Sequence, residues 1–143
     1  MKKILILNGP NLNLLGLREP EIYGDQTLLD VEELCREKAV DLGFKIEFRQ
    51  SNHEGELVDW IQDARGIFSG VIINAGAYTH TSLAIHDALR ILDVPVIEVH
   101  ISDPKKREEF RHFSYIEPIA HRHFVGMGTN GYLMALDSLR ELL

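Results

Sequence analysis

The sequence predicts an α/β fold: a doubly wound, five-stranded parallel sheet with helices on both faces. Three observations carry that expectation. Five short apolar runs alternate with stretches of helical spacing. Strands separated by helices need crossover connections, which make the strands parallel. One run, in GVIINAGA, is apolar at consecutive positions, as a strand buried on both faces must be. Such an arrangement is flavodoxin-like, and sites in these sheets sit outside the carboxyl ends of the strands.

The first strand is expected at Lys3–Leu7. It is followed by NGPNLNLLGLREPEIYG, a loop of about seventeen residues without helical or strand pattern. Connections in compact α/β units usually take roughly 2–6 residues, and longer ones tend to be functional or disordered. Leu12, Leu14, Leu15, Leu17 and Ile22 are too apolar for a solvated tail, so the loop is expected to fold over something. The first helix carries Val31, Leu34, Cys35, Ala39 and Leu42 on one face. Thr27 and Asp30 supply a capping box, and Gly43 supplies the stop. Strand two follows at Lys45–Arg49, then a helix through Leu57, Val58, Ile61 and Ala64. Strand three is Gly70–Asn74, and a helix from Ser82 to Leu92 buries Ile85, Ala88, Leu89 and Leu92. Strands four and five are expected at Val94–His100 and His123–Gly126. A last helix from Asn130 presents Leu133, Leu136, Leu139 and Leu143.

With 143 residues the chain is expected to form one domain over 1–143, large enough to bury a core. Hydrophobic residues at 45% and charged ones at 26% match soluble globular proteins. No apolar run approaches the roughly 20 residues needed to span a bilayer, so no membrane partner is expected. KKILILNG is too short for a signal peptide and lacks its cleavage site. The single Cys35 excludes an internal disulfide and fits a cytoplasmic protein. A net charge of −7 argues against nucleic acid as a partner.

Polar side chains gather at the expected strand ends. Asn8, Asn11, Arg18 and Tyr23 follow strand one, and Gln50, Ser51, Asn52 and His53 follow strand two. Asn74, His80, Thr81 and Ser82 follow strand three. Glu98, His100 and Ser102 end strand four, with Arg107 and Arg111 beyond. Each has a plainer alternative. Asn8 and Asn74 suit turns, His80-Thr81-Ser82 suits a helix N-cap, and Arg107 with Arg111 suits a solvated helix face. Strand one is not followed by G-x-G-x-x-G, and the chain has neither a P-loop nor G-x-S-x-G. His112, His121 and His123 lack strong metal spacing, and no metal is expected. The alternation of His121 and His123 points both to one strand face. Acid–base chemistry without a cofactor is what remains.

LNGPNLNLLGLREPEIYG, NAGAYTHTSLAIHDAL, VPVIEVHIS and REEFRHFSY resemble, in order and over nearly the whole chain, the type II 3-dehydroquinate dehydratases. That resemblance implies a cofactor-free hydro-lyase of the shikimate pathway. It converts 3-dehydroquinate to 3-dehydroshikimate by anti elimination through an enolate, and assembles as a homododecamer of four trimers. Residues from about Leu17 to Asp25 match the family's lid. Tyr23, alone a lid-packing aromatic, matches the base. A tyrosine of ordinary pKa ~10 is ionised about one part in a thousand at neutral pH, so such a base needs cations beside it. Arg18 and Arg107 match those cations. His100 matches the general acid, with Glu98 on the same strand face to orient it. Asn11 matches the residue that holds a water against the enolate oxygen. Asn74, His80 and Arg111 match substrate contacts, and the Ile101 and Ser102 amides match a carboxylate cradle. Asp87 matches a residue reaching in from a neighbouring subunit.

The chain departs from the family at two positions. Asp103 stands where asparagine is usual, and would weaken anion binding unless Lys105 or Lys106 offsets its charge. Phe113 follows His112 where a second histidine is common. The rival reading is a flavodoxin-like module that binds a small ligand or flavin without turnover.

Overall fold

Residues 1–143 are described by a computed structural model. Five parallel strands, β1 (Lys2–Asn8), β2 (Phe44–Gln50), β3 (Gly70–Asn74), β4 (Val96–His100) and β5 (Arg122–Val125), form one sheet in the order β2-β1-β3-β4-β5. The order reverses direction between β1 and β3, which opens a crevice at their carboxyl ends. The strands begin or end within two residues of the expected limits.

The long first loop is more ordered than its sequence suggests. It contains a 3₁₀ turn at Leu12–Leu14 and a single helical turn, α1 (Pro20–Tyr23). Leu12 and Leu15 are buried and anchor it, whereas Leu14 and Leu17 are exposed. The later helices are α2 (Leu28–Leu42), α3 (Glu54–Asp63), α4 (Leu83–Arg90) and α5 (Asn130–Leu142). Thr27 and Asp30 close the expected capping box at the start of α2, and Gly43 ends it at φ 77°. Ser82 caps α4 by accepting from the Ile85 amide at 2.9 Å.

Strand alternation divides the core in two. Ile4, Ile6, Ile72, Ile97 and Val99 pack on α2 and α5. Leu5, Leu7, Val71, Ile73 and Val96 pack on α3 and α4. Cys35 on α2 is fully buried, and burial, with Glu32 adding to it, pushes its thiol up to about 12. The α5 face differs from the expected leucine row. Tyr132, Ala135, Leu136 and Leu139 are fully buried, Leu133 is half-buried and Leu143 is exposed. Burying Tyr132 requires partners for its hydroxyl, and the ends of β1 and β3 provide them. The hydroxyl donates to Asn8 Oδ1 at 2.6 Å and accepts from Asn74 Nδ2 at 2.9 Å. Asn8 Nδ2 donates to the Arg49 carbonyl at 3.1 Å, so the chain of bonds also reaches β2.

At the crevice the two loops touch backbone to backbone. The Gly9 amide donates to the Asn74 carbonyl at 2.8 Å, and a Cβ at Gly9 would lie 2.2 Å from the Ala75 oxygen. Only glycine fits there.

Tyr132→Phe should leave buried polar groups of Asn8 and Asn74 unpaired. The expected loss is about 2 kcal/mol of folding stability, measured as a lowered urea midpoint with unchanged slope.

Candidate active site

A cleft with about 540 Å³ of empty space opens over the carboxyl ends of β1, β3 and β4. Its wall includes Asn11, Arg18, Tyr23, Asn74, His80, His100, Ile101, Ser102, Arg107 and Arg111. Ten of the twelve expected site residues therefore meet in one place. The other two do not line it: Glu98 lies behind His100, and Asp87 sits on the exposed face of α4.

On the loop side, α1 delivers Tyr23. Its hydroxyl accepts a 2.7 Å hydrogen bond from Arg107 Nη1. The Arg18 and Arg107 guanidinium carbons lie 5.0 and 5.4 Å from the ring centroid. The loop ends on a hydrogen bond from Thr129 to Gln26. Arg107 and Arg111 do not share a helix, contrary to the solvated-face alternative. They belong to separate turns and both reach the cleft, with Arg111 held by the Glu108 carboxylate.

On the strand side, β4 delivers His100, which is 8% exposed. Glu98, two residues earlier on the same face, is 2% exposed and binds His100 Nε2 through Oε2 at 2.8 Å. Thr79 and Ser114 also donate to Oε2, at 2.9 and 2.7 Å, and His123 Nδ1 meets Oε1 at 3.2 Å. Burial alone would raise the Glu98 pKa. The His100 hydrogen bond and charge, with the Ser114 and Thr79 hydroxyls, outweigh it and bring the carboxyl down to about 2. A carboxylate at Nε2 requires hydrogen there, so His100 presents Nδ1 for chemistry.

His80 donates Nδ1–H to the Phe113 carbonyl at 2.7 Å, which leaves Nε2 as the acceptor of the neutral ring. Burial pushes its pKa down, against that carbonyl, which pulls the other way. Asn74 is nearly enclosed. Nδ2 binds Tyr132, and Oδ1 accepts from the Gly76 amide at 3.2 Å, so both the turn role and the cleft position hold. Neither the Ile101 nor the Ser102 amide donates to any backbone carbonyl, and both residues line the cleft. Asn11 stands at φ 70°, its amide held by Asn52 Oδ1 at 3.0 Å.

The polar residues after β2 support the cleft without lining it. Gln50 donates to the Gly9 carbonyl at 3.1 Å, and Asn52 fixes Asn11. Asp103 accepts from the Lys105 amide at 3.0 Å, and Lys105 pairs instead with Glu117 at 3.7 Å, so neither lysine neutralises Asp103. His112, His121 and His123 do not converge. Their ring nitrogens meet the Arg107 carbonyl, the Val96 amide and Glu98 respectively, and no metal-holding group of three forms.

Tyr132, Thr79, Ser114 and His123 are site-building residues that the sequence reading left unassigned. Tyr132 had a signal: with Ala135, Leu136 and Leu139 it completes an i, i+3, i+4, i+7 row. Thr79, Ser114 and His123 had none, because only the fold brings them to Glu98.

Residues 2–140 match the family described as dehydroquinase class II. A 3-dehydroquinate dehydratase of Variovorax paradoxus is 58% identical over 97% of this chain and 99% of its own length. The solved type II dehydroquinase of Butyrivibrio crossotus superposes with a TM-score of 0.94 at 47% identity, covering 96% of this chain and 97% of that one. The Propionibacterium acnes type II dehydroquinase gives 0.95 at 43% identity, over 99% and 97% of the two chains.

Because its folded pKa is depressed, Glu98 adds stability that is complete above the ordinary value of 4.5 and lost as pH falls through about 2. Glu98→Gln should thus cost roughly 3 kcal/mol at neutral pH. That difference should shrink across the window below 4.5, as read from denaturant midpoints of both proteins.

Proposed function

The chain belongs to the class II dehydroquinase family, and we infer that it is a hydro-lyase, a type II 3-dehydroquinate dehydratase of the shikimate pathway. The reaction removes water from 3-dehydroquinate and leaves the conjugated enone 3-dehydroshikimate. One observation carries the reading: a phenol contacted by two guanidinium groups shares a cleft with an imidazole backed by a buried carboxylate.

Ionised Tyr23 removes the proton from the carbon beside the ketone, and the electron pair moves onto the ketone oxygen as an enolate. Arg18 and Arg107 supply positive charge where the reacting phenol oxygen carries negative charge. Asn11, whose side chain is free at the loop surface, holds a water against the enolate oxygen. The enolate then re-forms the ketone as the carbon–oxygen bond to the leaving hydroxyl breaks. His100, as imidazolium, gives Nδ1–H to that hydroxyl and leaves as the neutral ring with Nε2–H on Glu98. One proton is taken, one is given, and water departs. Base and acid come from two different walls of the cleft, the loop and the strand end; anti elimination requires that they act on opposite faces of the ring.

Binding falls to the remaining groups. Asn74 Nδ2 has two hydrogens and Tyr132 takes one, so the second serves the leaving hydroxyl. His80 Nε2 and the Arg111 guanidinium meet the ring hydroxyls. The Ile101 and Ser102 amides cradle the carboxylate. No step needs a metal or organic cofactor, and neither nucleic acid nor a membrane has a part. The working form is a cytoplasmic homododecamer of trimers, in which Asp87 of one subunit completes the site of the next.

Adding 3-dehydroquinate to the protein should produce enone absorbance, and its absence would overturn the reading. Tyr23→Phe should bind substrate analogues normally yet lose about a hundred- to ten-thousand-fold in turnover. A variant retaining a tenth of wild-type activity would remove Tyr23 as the base.

For Asp87 the test is mixing. Tyr23→Phe and Asp87→Asn proteins, each impaired alone, should regain activity when unfolded and refolded together. Random assortment in a ring makes about a quarter of the sites whole. Hybrid oligomers as inactive as their parents would contradict a shared site.

A further inference from the structure

We propose that the turn joining β5 to α5 aims the carboxylate cradle, with Gly126 and Gly128 as positioning residues. The inference rests on the reading of Ile101 and Ser102 as that cradle. Gly126, Gly128 and Gly131 have G-x-G-x-x-G spacing, between a strand and a helix. In dinucleotide-binding folds that pattern presents free amides to phosphate. Here the amides are occupied. Gly126 donates to both the His100 and Ser102 carbonyls at 3.2 Å, Gly128 to the Ile101 carbonyl at 3.1 Å, and Gly131 to the Gly128 carbonyl at 3.4 Å.

The consequence follows from peptide geometry. The chain has no cis bonds, and in a trans peptide the C=O and N–H point in opposite directions. In an extended strand successive carbonyls would alternate sides. Here three in a row, from His100, Ile101 and Ser102, turn towards the glycine turn, so the amides of Ile101, Ser102 and Asp103 turn away from it together. None of those three amides donates to a backbone carbonyl, and Ile101 and Ser102 line the cleft. Consecutive N–H groups facing one side form a concave anion site. The cradle is thus shaped from behind, through its carbonyls.

Holding two amides at that angle requires Gly126 at φ 72° and Gly128 at φ 60°. These are left-handed conformations, which β-branched residues resist and asparagine tolerates. The two positions differ in space. A Cβ at Gly126 would lie 3.2 Å from Asp103 Cβ, whereas one at Gly128 would meet nothing within 4 Å. Substitution at Gly128 therefore changes backbone preference without a clash.

The test compares dissociation constants for a substrate-ring analogue bearing the carboxylate and for its carboxamide counterpart. Wild type should prefer the carboxylate. Gly128→Val should cut that preference about tenfold or more, the loss expected when hydrogen bonds to a charged group are misaligned. Gly128→Asn should keep it within about threefold, because asparagine accepts the positive φ. If the valine variant does not fold, Gly128→Ala carries the same comparison. Equal weakening of both ligands, or an unchanged preference in the valine or alanine variant, would overturn the positioning role alone. A wild-type protein indifferent to the carboxylate would overturn the cradle, and this inference with it.

Discussion

An ionised carboxylate has been taken out of water at Glu98, and the strand side of the cleft is organised around satisfying it. A buried charge without donors would be far too costly to keep. The donors come from four separate segments: Thr79 after β3, His100 on β4, Ser114 in the following loop and His123 on β5. Each segment must be in position for the charge to be tolerated. The same requirement brings His100 to the cleft with one nitrogen committed and the other free. Fold stability and the orientation of His100 are thus one electrostatic problem.

The loop side is built on a different principle. Tyr23 belongs to no strand. It rides on one helical turn, held by a bond from Arg107 and by the stacked Arg18 guanidinium. Those contacts are polar and partly open to solvent, whereas His100 is locked into the sheet. The buried chain of Asn8, Tyr132 and Asn74 lies beneath both, tying α5 to the two strands between which the crevice opens.

Much of this is legible in the sequence, and the boundary between what is legible and what is not is physical. Local rules suffice for α2, whose start at Thr27–Asp30 and stop at Gly43 depend on neighbouring residues only. Strand period suffices to put Glu98 and His100 on one face. Contacts that depend on register or on loop closure are another matter: His123 faces Glu98 because β4 and β5 pair as they do. Tyr132 was hidden by a row of leucines that looked more hydrophobic, although its own row was complete. The cleft residues on loops, from Asn11 to Arg111, could be placed near the strand ends from the fold alone, but their individual roles came only through resemblance to a family, because no periodicity governs a loop. At Asp103, where the sequence suggested trouble, the carboxylate caps the adjoining turn and no lysine offsets its charge.

The burial of Cys35 has a practical consequence. Reagents that modify thiols attack the thiolate, and this thiol is both sealed from solvent and pushed up to about 12. The folded protein is therefore blank to maleimide chemistry without any mutation. Leu17, 80% exposed in the loop that carries Tyr23, offers a site where an introduced cysteine would take a dye alone. A fluorophore there would report on the surroundings of that loop against a background free of other labels.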